Sequence, residues 1–422
     1  MSKETSERLM RSLPLLVSHY GTPFGLYDYE GMLQRGLELK AAMKPVSDII
    51  GFQQHYAVKA WPNPANLKLQ HRNGFGFDCS SPFELELANG AGARGEEIFF
   101  TSNNTQPEWF DQALQLGAVI NLDDISLIDK MPYMPELICF RINPGNLRVG
   151  TGIIGKPIES KYGIMWEEMI KAYRKAKARG AKRFGIHMMV ASNSMEEGYI
   201  VDTAKMLLTA IKEISCVLKI RFEFMNIGGG FGTPYLPGVA DLDVVKIGRL
   251  IANELIAFSA SEGYVPKLYT ELGRWMTGPF GVLVVKVINR KNIYQTHIGV
   301  DAGMEAMARH AAYGAYHHVT KFRDSRDARS QEMEIVNIVG SICENCDRLA
   351  TQIELPVTKM GDILIIHNTG AHGTAMCGNY NSKTRIKEVM IHRQGAELIR
   401  RAETHDDLMA MYRFKQDRLH LA

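Results

Sequence analysis

The chain has 422 residues, of which 45% are hydrophobic and 23% are charged, a composition typical of folded globular proteins. The 49 Lys and Arg residues nearly balance the 46 Asp and Glu residues, so no basic excess predicts nucleic-acid binding. The six scattered cysteines do not suggest a disulfide framework, and no apolar run is long enough to span a membrane. The start, MSKETSERLM, lacks the apolar core of a secretion signal. We therefore expect a cytoplasmic protein with neither a nucleic-acid nor a membrane partner.

Strand-like runs alternate with helical stretches over most of the first two thirds of the chain. The opening TPFGLYDYE reads as a strand, and HYAVKA is followed by a predicted helix near Pro64 to Arg72. FGFDCS precedes a predicted helix at 82–91, and EIFFTS precedes one at 107–116. The series continues with AVINLDD, ICFRINPG, FGIHMMV, FEFMNIGGG and KLYTELGR. About eight such units predict a closed (β/α)8 barrel rather than an open doubly wound sheet.

The pattern changes after Arg274. GVLVVKVINRKN, YQTHIGVDAG, EIVNIVGS and DILIIHNTG are strand-like, and regular helices do not separate them. This predicts an α/β protein in which residues 30–272 form the barrel. Residues 1–29 and 273–422 are expected to form a mainly antiparallel β domain, which an amphipathic helix at 402–419 closes.

Candidate reactive residues lie where the barrel strands are predicted to end, because such barrels carry their sites at the C-terminal ends of strands. They are Lys59, Asp78, Arg141, His187, Ser192, Gly228 to Gly230, Glu271 and Arg274. A lysine that follows an apolar run is partly desolvated, which makes its amine available for a Schiff base. Taken alone, however, a solvated lysine at a strand end is the better interpretation.

Two short motifs have several interpretations by themselves. The three glycines could let backbone N–H groups approach a phosphate, but their spacing does not fit G-x-G-x-x-G and no Walker lysine follows. Nucleotide binding is therefore disfavoured. Cys343-Glu344-Asn345-Cys346 could be half of a zinc site, a redox pair, or one working thiol beside a carboxylate. The first two are disfavoured because the chain lacks a second ligand pair and a thioredoxin pattern, so no metal is expected.

Taken together, these segments resemble the pyridoxal-phosphate decarboxylases that share the alanine-racemase barrel, and diaminopimelate decarboxylase most closely. The resemblance covers nearly the whole chain, and it rests on TPFGLYD, YAVKA, GFDCSSPFELELA, FRINPG, SKYGI, GIHMMVAS, NIGGGFG, ELGR, DAGMEAMARHAAYGAYHH, GSICENCD and NTGAHGTAMCGNYNS. It implies the cofactor pyridoxal 5'-phosphate (PLP), bound by Lys59 through a Schiff base. Glu271 would pair with the pyridine nitrogen, which makes the ring a better electron sink. The implied cofactor site also includes Asp78, Arg141, His187, Met189, Ser192, Gly228, Gly229, Gly230, Gly273, Arg274 and His372.

The resemblance also implies how a substrate is held. Arg274, Arg309 and Tyr313 match the residues that grip its far carboxylate, a role that suits the guanidinium fork of arginine. Cys343 matches the proton donor, and Glu344 matches the carboxylate that receives the distal ammonium. In the family these two come from the partner subunit, which implies a homodimer with shared active sites. The expected reaction is meso-2,6-diaminopimelate to L-lysine and CO2, as in lysine biosynthesis.

Three positions depart from the family pattern. Met189 replaces a histidine that stacks on the cofactor ring, Leu272 replaces a proline, and His372 replaces a tyrosine that touches cofactor and substrate. These changes leave three alternatives: a decarboxylase for another carboxylated amino acid in a secondary pathway, a racemase or epimerase, and a cofactor-binding protein without turnover. His372 is the departure with the greatest bearing on the substrate.

Several other residues are interpreted as structural. His317 and His318 are expected to be packing or interface groups rather than ligands. Cys79, Cys139 and Cys216 lie in apolar segments and are expected to be inert core residues.

Overall fold

The computed structural model describes residues 3–150, 155–322 and 332–414. The α-helices are α1 (Lys3–Tyr20), α2 (Tyr29–Ala42), α3 (Lys44–Ser47), α4 (Pro64–Arg72), α5 (Pro82–Ala91), α6 (Pro107–Gln115), α7 (Met169–Ala178), α8 (Glu197–Leu218), α9 (Val244–Glu262), α10 (Arg274–Thr277), α11 (Arg309–Tyr313) and α12 (His405–Met409). The strands are β1 (Phe24–Asp28), β2 (Phe52–Ala57), β3 (Gly76–Cys79), β4 (Ile98–Ser102), β5 (Val119–Leu122), β6 (Leu137–Asn143), β7 (Ile164–Met165), β8 (Arg183–His187), β9 (Phe222–Asn226), β10 (Lys267–Thr270), β11 (Gly281–Asn292), β12 (Thr296–Val300), β13 (Val319–Lys321), β14 (Met333–Val339), β15 (Arg348–Pro356), β16 (Ile363–Ile366), β17 (Lys387–His392) and β18 (Gly395–Arg400).

The chain folds into two compact units. Tyr29–Pro279 form the barrel unit, and Met1–Asp28 together with Phe280–Ala422 form the β-rich unit. In the barrel unit, the parallel strands β2, β3, β4, β5, β6, β8, β9 and β10 pair in this order, and β10 pairs with β2 to close the circle. The short strand β7 adds to the edge of β6. The predicted (β/α)8 barrel is therefore confirmed.

Local sequence explains where the first barrel helices begin. The Asn63 side chain accepts the N–H of Ala65 ahead of α4, and Pro64 supplies the fixed φ that suits a first helical position. Ser81 caps α5 by accepting the N–H of Glu84. The helices at 64–72 and 82–91 have the predicted bounds, and α6 ends one residue earlier than predicted. Each helix thus returns the chain to the start of the next parallel strand, so that the C-terminal ends of all the barrel strands lie on one face.

Aromatic rings fill the barrel interior below the strand ends. His55 lies between Phe99 and Tyr269, with ring centroids 5.1 and 5.0 Å away, and Tyr269 stacks on Phe224 at 4.4 Å. Burial lowers the pKa of His55 to about 4, so its imidazole is neutral in the folded protein. This apolar layer supports the polar residues at the strand ends.

The β-rich unit is one mixed sheet with mainly antiparallel pairing, as predicted. Its strand order is β15-β14-β12-β11-β1-β17-β18, and β16 pairs with both β11 and β13. The pairs β1–β17 and β12–β14 are parallel. Helix α1 covers one face of this sheet with Leu9, Leu13 and Leu16, which pack against Phe24 and Leu26 of β1.

Two predictions outside the site need correction. The helix expected at 402–419 is much shorter, because α12 spans only His405–Met409 and a single 3₁₀ turn follows it; residues 415–419 lie outside the described residues. Cys79 and Cys139 are buried as expected, but Cys216 is exposed on the outer face of α8, so its prediction as a core residue was wrong. Within the described ranges, no helix combines the length and hydropathy that a membrane span requires.

Candidate active site

Lys59 and Asp78 form an ion pair at the C-terminal ends of adjacent strands. Lys59 lies in the 3₁₀ turn that follows β2, and its Nζ is 3.8 Å from Oδ2 of Asp78 near the end of β3. The lysine side chain is 53% exposed, whereas that of Asp78 is 2% exposed. Burial raises the pKa of Asp78 to about 7, the negative charge of Glu271 adds to this, and Lys59 opposes it. Burial thus makes the charged form of Asp78 less favourable, and the nearby ammonium of Lys59 partly offsets that effect.

Glu271 follows β10 directly and is buried. Its Oε2 lies 3.2 Å from Nε2 of His187, the last residue of β8. Burial alone would raise the pKa of Glu271, but the charge and hydrogen bond of His187 outweigh it, and Lys59 acts in the same direction. The pKa of Glu271 falls to about 2. The site therefore contains a carboxylate that stays ionised.

Asn226, which the sequence analysis missed, holds Glu271 in place. It is the last residue of β9, and its Nδ2 donates to Oε1 of Glu271 at 2.7 Å. Its Oδ1 accepts the N–H of Gly228 at 2.9 Å, and the N–H of Glu271 donates to the Gly228 carbonyl at 2.8 Å. Asn226 ends a barrel strand just before the glycines, so the rule that found Lys59 could have found it as well.

The glycines at 228–230 form a turn into which no side chain would fit. Gly228 and Gly230 have φ values of +68° and +98°, a region that glycine adopts without steric cost. A Cβ on Gly229 would lie 2.5 Å from the Glu271 carbonyl oxygen, and one on Gly230 would lie 2.7 Å from that of Ala191. The close approach of these backbone segments therefore requires glycine at the three positions. It also places the peptide N–H groups of the turn near Glu271.

A buried guanidinium lies close to the segment that follows β8. Arg274 begins α10, and its Nη1 donates to the Tyr235 hydroxyl at 2.9 Å, a partner that the sequence analysis missed. Its Nη2 lies 3.4 Å from Oγ of Ser192. Gly273 precedes the helix, and a Cβ there would lie 2.7 Å from Cβ of Ala60. An arginine and a hydroxyl that converge in this way are suited to an anion such as phosphate.

Arg141 fixes the backbone between β8 and Ser192. Its Nη2 donates to the carbonyl of Met189 at 3.1 Å, and its Nη1 lies 3.5 Å from Oδ1 of Asp123. Its guanidinium also stacks 4.5 Å from the ring of Tyr162. Arg141 therefore acts on the site by holding the Met189 segment.

In the β-rich unit, Arg309 is buried and oriented by a histidine. Nδ1 of His317 donates to the His367 carbonyl at 2.8 Å, so the proton of a neutral imidazole is on Nδ1. Nε2 of His317 is then the acceptor for Nη1 of Arg309 at 2.8 Å. His317 was expected to be a packing or interface group, but it has this further structural role. Tyr313, at the end of α11, is 55% exposed.

Cys343 and Glu344 lie on an exposed loop of the β-rich unit. Asp347 anchors this loop, because its Oδ2 accepts the N–H of Ile342 at 2.7 Å. Oε1 of Glu344 accepts a hydrogen bond from the Tyr380 hydroxyl at 2.8 Å. The thiol and the carboxylate are thus presented on a fixed turn. His372, in the same unit, has a left-handed φ of +55°.

The residues of the barrel unit fit PLP. Lys59 would supply an amine for its aldehyde, Glu271 an ionised carboxylate for its ring nitrogen, and the glycine turn with Arg274 donors for its phosphate. Within the described part of the chain, the buried Nδ1 of His187 has no hydrogen-bond partner. This nitrogen can therefore still form a hydrogen bond with a bound group.

Comparisons with known proteins agree with this chemistry. Residues 38–278 match the pyridoxal binding domain of the pyridoxal-dependent decarboxylases. The chain is 39% identical to the protein TabA of Pseudomonas amygdali pv. tabaci, over 96% of this chain and 95% of that one. It is 32% identical to diaminopimelate decarboxylase of Methanothermobacter thermautotrophicus, over 93% and 92% of the two chains. The solved structure of diaminopimelate decarboxylase from M. jannaschii with L-lysine is similar, with a TM-score of 0.86 and 27% identity over 94% and 93% of the chains. The chain therefore belongs to the pyridoxal-dependent decarboxylases.

Proposed function

We propose that this decarboxylase converts meso-2,6-diaminopimelate to L-lysine and CO2. The observation that carries the proposal is the buried guanidinium of Arg309, which His317 orients in the β-rich unit. A fixed arginine fork binds a carboxylate in two places, and diaminopimelate has a second carboxylate far from the one that it loses. A decarboxylase that forms a diamine from lysine or ornithine has no need of such an anchor.

The relatives support the same substrate. Diaminopimelate decarboxylases match over more than nine tenths of this chain, and a neighbouring structure of that enzyme contains L-lysine, the product of the proposed reaction. Glu344 adds a carboxylate that can receive the distal ammonium, and its hydrogen bond from Tyr380 holds it in place. The β-rich unit thus offers one group for each charge of an amino-carboxylate.

In the barrel unit, each residue has a separate task. Bound PLP supplies an electron sink for the electron pair that remains when CO2 leaves. Glu271 is ionised and holds a proton at the ring nitrogen, and Asn226 with His187 keeps its carboxylate in position. Asp78, whose pKa burial raises, holds the amine of Lys59 in place through the ion pair at 3.8 Å. Arg274, Ser192 and the glycine turn bind the phosphate.

The carbon that loses CO2 must gain a proton, and we assign that proton to the thiol of Cys343. Cys343 and Glu344 are exposed on their loop, so both are accessible to a second copy of the chain. The proposed assembly is a homodimer in which each subunit completes the active site of the other, in the cytoplasm. Sedimentation of the protein should then give the mass of two chains.

A second candidate is decarboxylation of another amino acid that has a distal carboxylate. Met189 and His372 replace two residues of the family pattern, and the identity to TabA, at 39%, exceeds the 32% to a diaminopimelate decarboxylase. This candidate uses the same cofactor residues and the same anchor at Arg309. It differs only in the shape of the substrate.

The test is CO2 release by the PLP-loaded protein from meso-diaminopimelate, lysine, ornithine, arginine and glutamate. The proposal expects CO2 and L-lysine in equal amounts from diaminopimelate alone. Release from a different amino acid would favour the second candidate. Epimerised diaminopimelate without CO2 would identify a racemase, and cofactor binding without any turnover would overturn both decarboxylation proposals. The Lys59→Ala variant should lose the visible absorbance of the lysine-bound cofactor and all CO2 release.

A further inference from the structure

Two of the three amides in the glycine turn are already occupied by side chains. The N–H of Gly228 donates to Oδ1 of Asn226 at 2.9 Å, and the N–H of Gly229 approaches Sδ of Met189 at 3.1 Å. The N–H of Gly230 has no acceptor within the described part of the chain. Of the three amides, that of Gly230 is therefore the one that can still donate to an anion without breaking a contact within the described residues.

Met189 is well placed to hold this turn. It lies two residues beyond the end of β8, it is half-buried, and Arg141 fixes its carbonyl at 3.1 Å. A Cβ on Gly228 would lie only 2.8 Å from the Met189 sulfur, so the side chain is packed directly on the turn. A thioether is a weak acceptor that neither titrates nor donates. The contact with Gly229 is therefore independent of pH.

We propose that Met189 is a positioning residue for the cofactor phosphate. Its sulfur fixes the peptide plane between Gly228 and Gly229, and this leaves the Gly230 amide as the donor that binds the phosphate. Glycine peptides rotate easily, because no Cβ limits their dihedral angles. Without an acceptor for the Gly229 N–H, the turn samples other orientations, and the phosphate must bear the cost of ordering it.

The proposed role of Met189 concerns the cofactor and does not depend on which amino acid is the substrate. Two possible roles of Met189, packing on the ring and ordering the phosphate turn, can be separated with two ligands. A side chain that only packs on the cofactor ring affects PLP and unphosphorylated pyridoxal equally. A side chain that orders the phosphate turn affects PLP alone.

The experiment is equilibrium dialysis of the full-length protein, freed of cofactor, against PLP and against pyridoxal. Met189→Leu keeps the volume of the side chain but has no acceptor, and it should weaken PLP binding by about three- to tenfold while leaving pyridoxal binding unchanged. Met189→Gln, whose amide oxygen can accept the same N–H, should restore PLP affinity. Met188→Leu is the control, because Met188 is the buried neighbour of Met189 and approaches Gly228 with its backbone carbonyl, which the substitution keeps. It should change neither affinity.

Three outcomes would overturn the inference. Met189→Leu could bind PLP as tightly as the unchanged protein, or it could lose affinity for both ligands equally, which would indicate ring packing. An unrescued loss in Met189→Gln would show that the acceptor is irrelevant. Thermal unfolding of each variant without ligand identifies any loss of fold, and the ratio of the two affinities is compared only between folded variants.

Discussion

Asn226 connects Glu271 to the glycine turn, because its amide donates to the Glu271 carboxylate at 2.7 Å while its oxygen accepts the N–H of Gly228. The group expected at the ring nitrogen and the turn expected at the phosphate are thus held by one side chain. The ring nitrogen and the phosphate of PLP are a fixed distance apart. Because Asn226 holds both Glu271 and the glycine turn, it keeps the spacing between the groups expected to bind them constant.

Asn226→Ala should destabilise the protein and weaken PLP binding together. The change leaves a buried carboxylate oxygen and a buried N–H without partners, which costs roughly 2–4 kcal/mol of the free energy of unfolding. Urea denaturation measures this loss. Asn121→Ala is a matched control, since Asn121 is equally buried, donates one hydrogen bond to Thr101, and has an Oδ1 without a partner in the described structure. An equal loss in both variants would contradict the special role of Asn226.

Glu271→Gln should retain the fold and bound PLP but lose most decarboxylation. Glutamine can keep the contact with Asn226, but it lacks the negative charge that is proposed to hold a proton at the ring nitrogen. The loss of one such electrostatic contact predicts a fall in kcat of about 10²- to 10³-fold. Steady-state CO2 release measures kcat, and dialysis confirms that the cofactor is present. An unchanged kcat would show that the charge of Glu271 is not used.

His317→Phe should raise KM for the substrate more than it lowers kcat. The phenyl ring fills similar space but removes the acceptor that orients Arg309, which lies 2.8 Å away. We expect KM to rise by about tenfold and PLP affinity to stay the same. His318→Phe serves as the comparison, because His318 is only half-buried and its Nδ1 faces the Tyr316 hydroxyl at 3.3 Å. The prediction fails if both variants have the same KM.

His55→Phe should make the stability of the protein less sensitive to acid. Burial lowers the pKa of His55 from 6.5 to about 4, so between these pH values the unfolded chain binds a proton that the folded chain does not. The free energy of unfolding therefore falls as the pH decreases. Between pH 7 and pH 5, protonation of His55 in the unfolded chain lowers the free energy of unfolding of the unchanged protein by about 2 kcal/mol. The variant lacks this loss. Urea denaturation at the two pH values measures the difference, and parallel losses would contradict it.

His372→Tyr tests whether the histidine at this position determines the preferred substrate. The substitution restores the residue of the family pattern at a position with φ of +55°, which disfavours any large side chain to a similar degree. If diaminopimelate is the substrate, kcat/KM for it should stay within about threefold or rise. A loss of more than tenfold would contradict this expectation and would show that tyrosine cannot replace His372 in the turnover of diaminopimelate. The same CO2 assay measures kcat/KM for the variant and for the unchanged protein.

Neighbouring residues along the chain are enough to predict the local elements and the site segments at the strand ends. Pro64 and Ser81 define the starts of α4 and α5 through dihedral preference and capping, which depend only on neighbours along the chain. The glycines at 228–230 likewise indicate a turn that could approach a phosphate, because the lack of a Cβ is a property of each residue alone. Helix α1 was missed although its leucines pack on the sheet, because charged residues dominate its beginning.

Which side chains contact one another depends on the packing of distant strands. Asn226 and Glu271 are separated by 45 positions, and Met189 and Gly229 by 40, so their contacts depend on how closure of the barrel sets neighbouring strands in register. The role of His317 likewise depends on a carbonyl 50 positions away, which determines the nitrogen that carries its proton. Local sequence preferences contain no information about such pairs, because their hydrogen bonds form only after distant strands have packed together.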